Sequence, residues 1–264
     1  MDTKYERKSS KILLFFRIIS IIVIILCLIY IIHWYLENRK NANMIKDLTE
    51  NAVIETIYID VRDPDVEEGE EPKVDQIPVY ELDFEKLFAV NNNTVGWLKV
   101  PNTTIDYPVA QHTDNSFYLT HSFDKSKNSA GWIFADYRNK FDGTDKNIII
   151  YGHNRMDSSM FATLRNTQNA NWYNNPTNKY ITFTSPSGTH VYQVFSVYTI
   201  KSETYYLSTD FANDEDFLTF LNEMRKRSVH DFGVNLTATD SIITLSTCDA
   251  SGKSRVILHA KQIQ

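Results

Sequence analysis

An uninterrupted apolar run near the N-terminus constrains this chain more than any other feature. Residues 12–36 read ILLFFRIISIIVIILCLIYIIHWYL, with Arg17 as their one Lys, Arg, Asp or Glu. A helix of about 20 residues crosses the roughly 30 Å hydrocarbon core of a bilayer. The run is therefore long enough to span a membrane, and Lys and Arg residues before it favour a cytoplasmic N-terminus.

A cleaved signal peptide is the alternative interpretation of this run. The apolar core of a signal peptide is usually shorter and is followed by a small-residue cleavage site, which the following HWYLENRKNAN does not provide. We therefore expect residues 1–11 to form a cytoplasmic tail and residues 12–36 an uncleaved transmembrane signal anchor. The remaining residues are then expected outside the cell.

Composition divides the rest of the chain into a spacer and a globular domain. Residues 60–78 are acidic, contain three prolines and lack aromatic side chains, which is typical of a solvated linker. We expect residues 37–79 to form a juxtamembrane stalk and acidic linker. Residues 80–264 are enough for one domain with a core of its own. The net charge of −6, with no dominant basic block, argues against a nucleic-acid partner.

Eight short runs rich in β-branched and aromatic residues predict that the globular domain is mainly β. They read VGWLKVP, TIDYPVAQ, GWIFAD, KNIIIYG, KYITFTS, HVYQVFSVYTI, SIITLSTC and SRVILHAKQI. Runs of this length separated by turn residues are typical of a closed barrel or a sandwich. A helical pattern precedes these runs at residues 83–91, and two others interrupt them at residues 158–166 and 210–229.

Cys248 ends one of these runs and is the only cysteine after the apolar run, which itself contains Cys27. A lone thiol in an exported domain is either a reactive group or a small buried apolar side chain. The short polar loop after Cys248 predicts an antiparallel pair with the next strand, where facing Cβ atoms lie about 4.5–5.5 Å apart. That pairing brings Arg255 near the sulfur, where a guanidinium stabilises a thiolate and binds an oxyanion. Alternatively, Arg255 only caps a strand edge.

A cysteine nucleophile also needs a group that protonates the leaving amine. His153 follows the apolar strand KNIIIYG, and a parallel pairing of that strand with SIITLSTC would bring His153 to the edge that carries Cys248. His121 is the nearest rival. His259 lies four residues along the strand from Arg255, which places it about 13 Å away.

In this order and combination, the motifs resemble those of the sortases, the cysteine transpeptidases of Gram-positive bacteria. TLSTC followed by Arg255 resembles the TLxTC signature of that family, and NIIIYGHN resembles its histidine segment. NNTVGWLKVPNTTIDYPVAQ, NSFYL and GWIFAD, together with the helix predicted at 210–229, resemble class B. The resemblance covers residues 80–264.

The resemblance implies a closed eight-stranded sortase-type β-barrel with peripheral helices, in which Cys248, His153 and Arg255 are catalytic. It implies cleavage of a C-terminal sorting peptide, NPxTN-like in class B, through a thioester that is passed to an amine of a peptidoglycan precursor. It also implies that neither a metal nor another cofactor is needed. By motif position, the substrate groove is lined by Asn115, Leu119, Tyr151, Ser246, Thr247 and Asp249.

Three alternatives to a wall-anchoring enzyme remain open at this point. A pilin-polymerising sortase would use a lysine of another protein as the acceptor. An anchored cysteine peptidase would use the same nucleophile and base but would transfer the acyl group to water. A surface adhesin would keep Cys248 buried and would have no activity.

Overall fold

The structure, a computed structural model, describes residues 3–62, 74–201, 203–248 and 254–264. The chain divides into two compact units, Met1–Met44 and Ile45–Gln264. A single helix, α1, covers Thr3–Ala52.

Among the described residues, α1 contains the one helical stretch that is long and apolar enough to cross a membrane. Its large apolar side chains between Leu13 and Leu36 are exposed on all sides, as is typical of a helix that faces lipid. The helix continues past residue 36 to Ala52, because residues 37–52 contain neither Pro nor Gly.

Two strands lie at the two ends of the predicted acidic linker. Strand β1 covers Val53–Arg62, strand β2 covers Val74–Leu82, and the two pair antiparallel. Residues 60–62 and 74–78 of the acidic segment are therefore strand, while residues 63–73 lie outside the described part of the chain. The reason is an alternating apolar pattern among the acidic residues: Val61 is buried against Tyr180 and Val191.

Eight further strands form the closed barrel that the sequence predicts. They are β3 Thr94–Lys99, β4 Asp106–Gln111, β5 Phe134–Ala135, β6 Asn147–His153, β7 Tyr180–Ser185, β8 Gly188–Lys201, β9 Ile242–Cys248 and β10 Ser254–Gln262. Around the barrel the order is β10-β8-β7-β3-β4-β5-β6-β9, and pairing of β9 with β10 closes it. Each strand coincides with one of the eight predicted runs.

Strand direction decides which residues share an end of the barrel. Strands β6 and β9 are parallel, as are β4 and β5, whereas the other neighbouring pairs in the barrel are antiparallel. The carboxyl ends of β6 and β9 therefore lie at one rim, and β10 begins at that same rim.

Helices and turns surround the barrel. The helices are α2 Phe84–Val90, α3 Ala170–Tyr173 and α4 Asp214–Arg227; the 3₁₀ turns are Phe117–Leu119, Ala162–Gln168, Pro176–Asn178 and Tyr205–Leu207. The segment predicted to be helical at 158–166 is 3₁₀ from Ala162 onward.

Helix α4 packs against the barrel through a single apolar face. Asn213 caps its N-terminus by accepting a hydrogen bond from Asp216 N. Phe217, Phe220 and Leu221 are buried in one cluster with side chains of the barrel. Each fully buried side chain of this size contributes about 1.5–3 kcal/mol to the stability of the fold.

Candidate active site

The parallel pair of β6 and β9 brings His153 beside Cys248. The register of the two strands runs from Asn147 opposite Ile242 to His153 opposite Cys248. Neighbouring strands lie about 4.8 Å apart. The predicted parallel pairing is therefore confirmed, and the last residues of both strands are direct neighbours at one rim.

Strand β10 brings Arg255 to the other side of Cys248. In the antiparallel ladder the pair nearest this rim is Ile257 opposite Ser246, and Arg255 and Cys248 each lie two residues beyond that pair on neighbouring strands. The strands still run side by side at the intervening step, because Val256 N donates a 2.8 Å hydrogen bond to Thr247 Oγ1. Cys248 thus ends a strand that is flanked by the strands of His153 and Arg255.

The imidazole of His153 is held in a defined orientation. Its Nε2 lies 2.8 Å from the carbonyl oxygen of Leu119, in the Phe117–Leu119 turn. Because a carbonyl only accepts hydrogen bonds, Nε2 carries a hydrogen, and in the neutral ring Nδ1 has the lone pair. The ring is half-buried, which leaves this second nitrogen to exchange a proton.

Two glycines, Gly131 and Gly152, leave the space that His153 and its strand occupy. Gly131 adopts a φ of +62°, and a Cβ on it would lie 2.8 Å from His153 Cδ2. A Cβ on Gly152 would lie 2.6 Å from the ring of Phe161, whose backbone N donates to the carbonyl of His153 at 3.0 Å. The absence of a side chain at both positions therefore allows β6 and the imidazole to lie close to their neighbours.

Tyr206 connects Arg255 to strand β9. The Nη1 atom of Arg255 donates to the hydroxyl of Tyr206 at 3.4 Å, and that hydroxyl lies 3.0 Å from Ser246 Oγ. Tyr206 and Ser246 are both fully buried, whereas Arg255 is half-buried. The guanidinium therefore lies at the edge of the core, where it donates a hydrogen bond to a buried phenol.

The predicted groove residues occupy two kinds of position. Asn115 and Leu119 are half-exposed on the segment that carries the histidine's carbonyl partner. Tyr151, Ser246 and Thr247 are buried behind that surface. Asp249 lies outside the residues that the structure describes.

Tyr151 and Asp136 have coupled and opposite pKa shifts. Burial raises the pKa of the Tyr151 phenol, and the nearby Asp136 charge raises it further. Burial alone would raise the pKa of the Asp136 carboxyl, but hydrogen bonds from Arg138 and from Tyr151 outweigh it and lower that pKa. The phenol is therefore a neutral donor to a carboxylate, with its oxygen 2.8 Å from Asp136 Oδ2.

The rival histidines lie in other surroundings. His259 is fully buried, and its two ring nitrogens contact Tyr198 Oη at 2.9 Å and Thr244 Oγ1 at 2.8 Å. Burial lowers its pKa to about 3, so it stays neutral in the folded protein. His121 stacks on Phe117 with a ring-centroid distance of 4.0 Å.

A cavity of about 610 Å³ lies at the opposite end of the barrel from His153. Its lining includes Ile148 near the start of β6 and Gln262 at the end of β10, and none of the predicted catalytic residues. Within the described part of the chain, no group of three or more His, Cys, Asp or Glu side chains is placed to hold a metal ion.

Sequence reasoning missed several residues that shape this rim. Gly131 and Tyr206 act on His153 and Arg255 across long stretches of sequence, and no local pattern distinguishes them. Asp136 and Arg138, by contrast, could have been found from the sequence. An acidic residue directly after an apolar strand, with an arginine two residues later, is a local pattern that indicates an ion pair.

Comparisons with known proteins agree with this geometry. A family model described as the sortase domain matches residues 98–263. Sortase B of Listeria monocytogenes is 35% identical over 236 residues, which cover 86% of this chain and 87% of the relative. Sortase B of Staphylococcus aureus is 37% identical over 184 residues, covering 69% and 75% respectively.

Solved structures give the same result. Sortase B from B. anthracis superposes with a TM-score of 0.71 at 29% identity, covering 87% of this chain and 99% of that one. A structure described as the Staphylococcus aureus sortase B–substrate complex superposes with a TM-score of 0.65 at 37% identity, covering 69% of this chain and 84% of that one. The family match, the similarity to whole relatives and the shared barrel together show that the chain belongs to the sortase family of cysteine transpeptidases and, within it, to class B.

Proposed function

We propose that this sortase is a single-pass membrane protein with its catalytic domain outside the cell, where it attaches surface proteins to the wall. Its substrate is a C-terminal sorting peptide, NPxTN-like, and its acceptor is an amine of peptidoglycan. The exposed apolar surface of α1 supports the anchor, and the Lys and Arg residues before the apolar run support a cytoplasmic N-terminus.

One observation carries the proposed chemistry. It is the pairing of His153 with Cys248 on parallel strands, with Arg255 on the strand that flanks Cys248 on its other side. A nucleophile, a proton carrier and a fixed cation at one rim are the three groups that acyl transfer through a thioester needs.

In the first half of the reaction, the thiolate of Cys248 attacks the carbonyl carbon of the scissile peptide bond. The Arg255 guanidinium binds the oxyanion of the tetrahedral intermediate. As the intermediate collapses, the C–N bond breaks, and the nitrogen takes a proton from Nδ1 of the His153 imidazolium. The products are a thioester on Cys248 and a free C-terminal fragment.

In the second half, the acceptor amine attacks the thioester carbonyl. Neutral His153 takes a proton from the attacking nitrogen at Nδ1, and Arg255 again binds the oxyanion. Collapse forms the new amide bond and releases the Cys248 thiolate. The Nε2–H hydrogen bond to Leu119 keeps the same ring nitrogen toward the reaction in both halves.

For substrate recognition, we assign direct contact with the peptide to Asn115 and Leu119, whose side chains reach the surface. Tyr151, Ser246 and Thr247 support the groove from behind. Asp249, next to Cys248 in the sequence, completes the predicted set.

The test is mass spectrometry of the full-length protein in detergent, incubated with a small library of sorting peptides. We expect an acyl adduct on Cys248 with at least one peptide, and no adduct in a Cys248→Ala variant that remains folded. His153→Ala and Arg255→Ala are each expected to slow adduct formation by orders of magnitude, since groups that act as a unit are strongly non-additive. Full activity of Cys248→Ala would refute the mechanism.

Product analysis with added acceptors separates the alternatives. Amide formation with a peptidoglycan-type amine supports the wall-anchoring proposal. Amide formation only with a lysine-bearing protein would indicate a pilin polymerase, and acid as the main product in the presence of amine would indicate a peptidase.

A further inference from the structure

Asp136, which directly follows β5, is the centre of a buried polar network. Its side chain is fully buried, and both carboxylate oxygens accept hydrogen bonds. Oδ1 accepts from Nε of Arg138 at 2.8 Å, and Oδ2 accepts from Nη2 of the same guanidinium at 2.8 Å. Oδ2 also accepts from Asn115 Nδ2 at 2.9 Å and from the Tyr151 hydroxyl at 2.8 Å. A bidentate pair of this kind fixes both partners in direction as well as distance.

One branch of this network leads to Arg255. Nη2 of Arg138 also donates a 2.9 Å hydrogen bond to the carbonyl oxygen of Leu207, at the end of the Tyr205–Leu207 turn. The preceding residue, Tyr206, supplies the hydroxyl that accepts from Arg255. The position of Arg138 therefore affects the position of the guanidinium beside Cys248.

The other branch leads to His153. Asn115 is held by Asp136 through its amide nitrogen, and its amide oxygen accepts from Tyr137 N at 3.0 Å. Asn115 starts the segment that enters the Phe117–Leu119 turn, whose last carbonyl accepts from His153 Nε2. Tyr151, the third partner of Asp136, lies two residues before His153 on β6.

We propose that Asp136 and Arg138 are positioning residues for the transpeptidation, a role that rests on the proposed function of this site. Their ion pair is the common anchor of the two loops that hold His153 and Arg255. It thereby fixes the distance between the proton carrier and the oxyanion-binding cation on the two sides of Cys248. Neither residue touches the reacting atoms.

The charges make the network rigid as well as connected. Tyr151 stays a neutral donor and Asp136 an ionised acceptor, so the direction of each hydrogen bond is fixed. The Arg138 side chain is 36% exposed and that of Asp136 is 0% exposed. Loss of the partner charge is therefore more destabilising for the buried carboxylate than for the guanidinium.

The test uses Asp136→Asn, Arg138→Gln and the double variant of the full-length protein in detergent. Asp136→Asn leaves the Arg138 guanidinium without its partner charge, and Arg138→Gln leaves a buried carboxylate without its strongest donor. The double variant removes both charges, so it regains thermal stability relative to Arg138→Gln. It does not regain the bond to Leu207, because a glutamine side chain is too short to bind the residue-136 side chain and that carbonyl together.

The decisive comparison is stability against turnover in the double variant. If the pair positions the site, the double variant unfolds near the wild-type temperature while kcat for the sorting peptide stays at least about tenfold lower, with KM within about threefold. If the pair only stabilises the fold, kcat returns together with the unfolding temperature, and the proposal is overturned.

Asp240→Asn is the matched control. Asp240 pairs with Lys261 at 3.4 Å, both side chains are 11% exposed, and both lie toward the opposite end of the barrel from Cys248. Its loss is expected to lower the unfolding temperature without changing kcat. Equal kcat values in Asp240→Asn, Asp136→Asn and Arg138→Gln would overturn the proposal.

A peptide-independent measurement separates failure of this inference from failure of the proposed function. The rate at which iodoacetamide alkylates Cys248, followed against pH, reports the surroundings of the thiol without any sorting peptide. We expect the profile to shift in Asp136→Asn and in the double variant, but not in Asp240→Asn. Unchanged profiles would overturn the inference even if the wild-type protein forms the acyl adduct; a shifted profile would support it even if no tested peptide is cleaved.

Discussion

Gly131→Ala is predicted to slow this enzyme strongly without replacing any group that takes part in the reaction. The Cβ of an alanine there would lie 2.6 Å from the carbonyl oxygen of Tyr118, 2.8 Å from His153 Cδ2 and 2.9 Å from the carbonyl oxygen of Leu119. The two carbonyls accept hydrogen bonds from Trp132 N and from His153. The histidine ring is therefore the neighbour that gives way.

The size of the effect follows from ordinary contact distances. Carbon atoms in contact lie about 3.5–4.0 Å apart, so the ring moves by roughly 1 Å. A displacement of that size in a reacting group costs about 100-fold in rate. The backbone adds a separate cost of roughly 1–2 kcal/mol in stability, because φ at this position is in the left-handed region.

Gly233→Ala separates the two costs. Gly233 has a φ of +67°, close to the +62° of Gly131, but a Cβ there meets nothing within 4 Å. Both variants are expected to lose similar backbone stability. Only Gly131→Ala is expected to lose activity, since only its methyl group contacts His153.

The assay measures kcat/KM for cleavage of a sorting peptide, together with thermal unfolding of both variants. We expect Gly233→Ala to keep wild-type kcat/KM within about twofold and Gly131→Ala to fall by about 100-fold. A folded Gly131→Ala variant with wild-type kcat/KM would show that His153 does not need its present position, and the argument from close approach would fail.

Three further predictions concern buried side chains. In the folded state His259 stays unprotonated down to about pH 3, whereas in the unfolded chain it binds a proton below about pH 6.5. The free energy of unfolding is therefore full above about pH 6.5 and falls as the pH drops below that value, by at most about 1.4 kcal/mol per pH unit. Urea unfolding at about pH 7 and about pH 5 should show this loss in the wild type and a smaller one in His259→Gln; equal losses would contradict it. Tyr206→Phe should lower kcat by about tenfold, because Arg255 loses its buried support and Ser246 loses a partner; unchanged kcat would contradict that role. Leu221→Ala should cost about 2–5 kcal/mol in urea unfolding, because the side chain is fully buried between α4 and the barrel; a loss under about 1 kcal/mol would show that the helix packs loosely.

Particular residues show where sequence reasoning succeeded and where it failed. The eight strands were predictable because each is a local run of β-branched and aromatic residues bounded by turns. The antiparallel pairing of β9 with β10 was predictable because a short loop leaves it as the simplest pairing. The strands β1 and β2 were missed because acidic side chains on their exposed faces, and Pro78 in β2, hid the alternation that buries Val61 and Val79.

The sequence by itself determined the apolar helix and the eight barrel strands and supplied the prediction of three catalytic residues, because each depends on residues close together in the chain or on a recognisable motif. Only the tertiary structure decided what holds those residues in place. Leu119 meets His153, Arg138 meets Leu207 and Arg255 meets Tyr206 after the barrel closes. Contacts between residues so far apart in sequence depend on the register and curvature of the whole sheet, which no local pattern encodes.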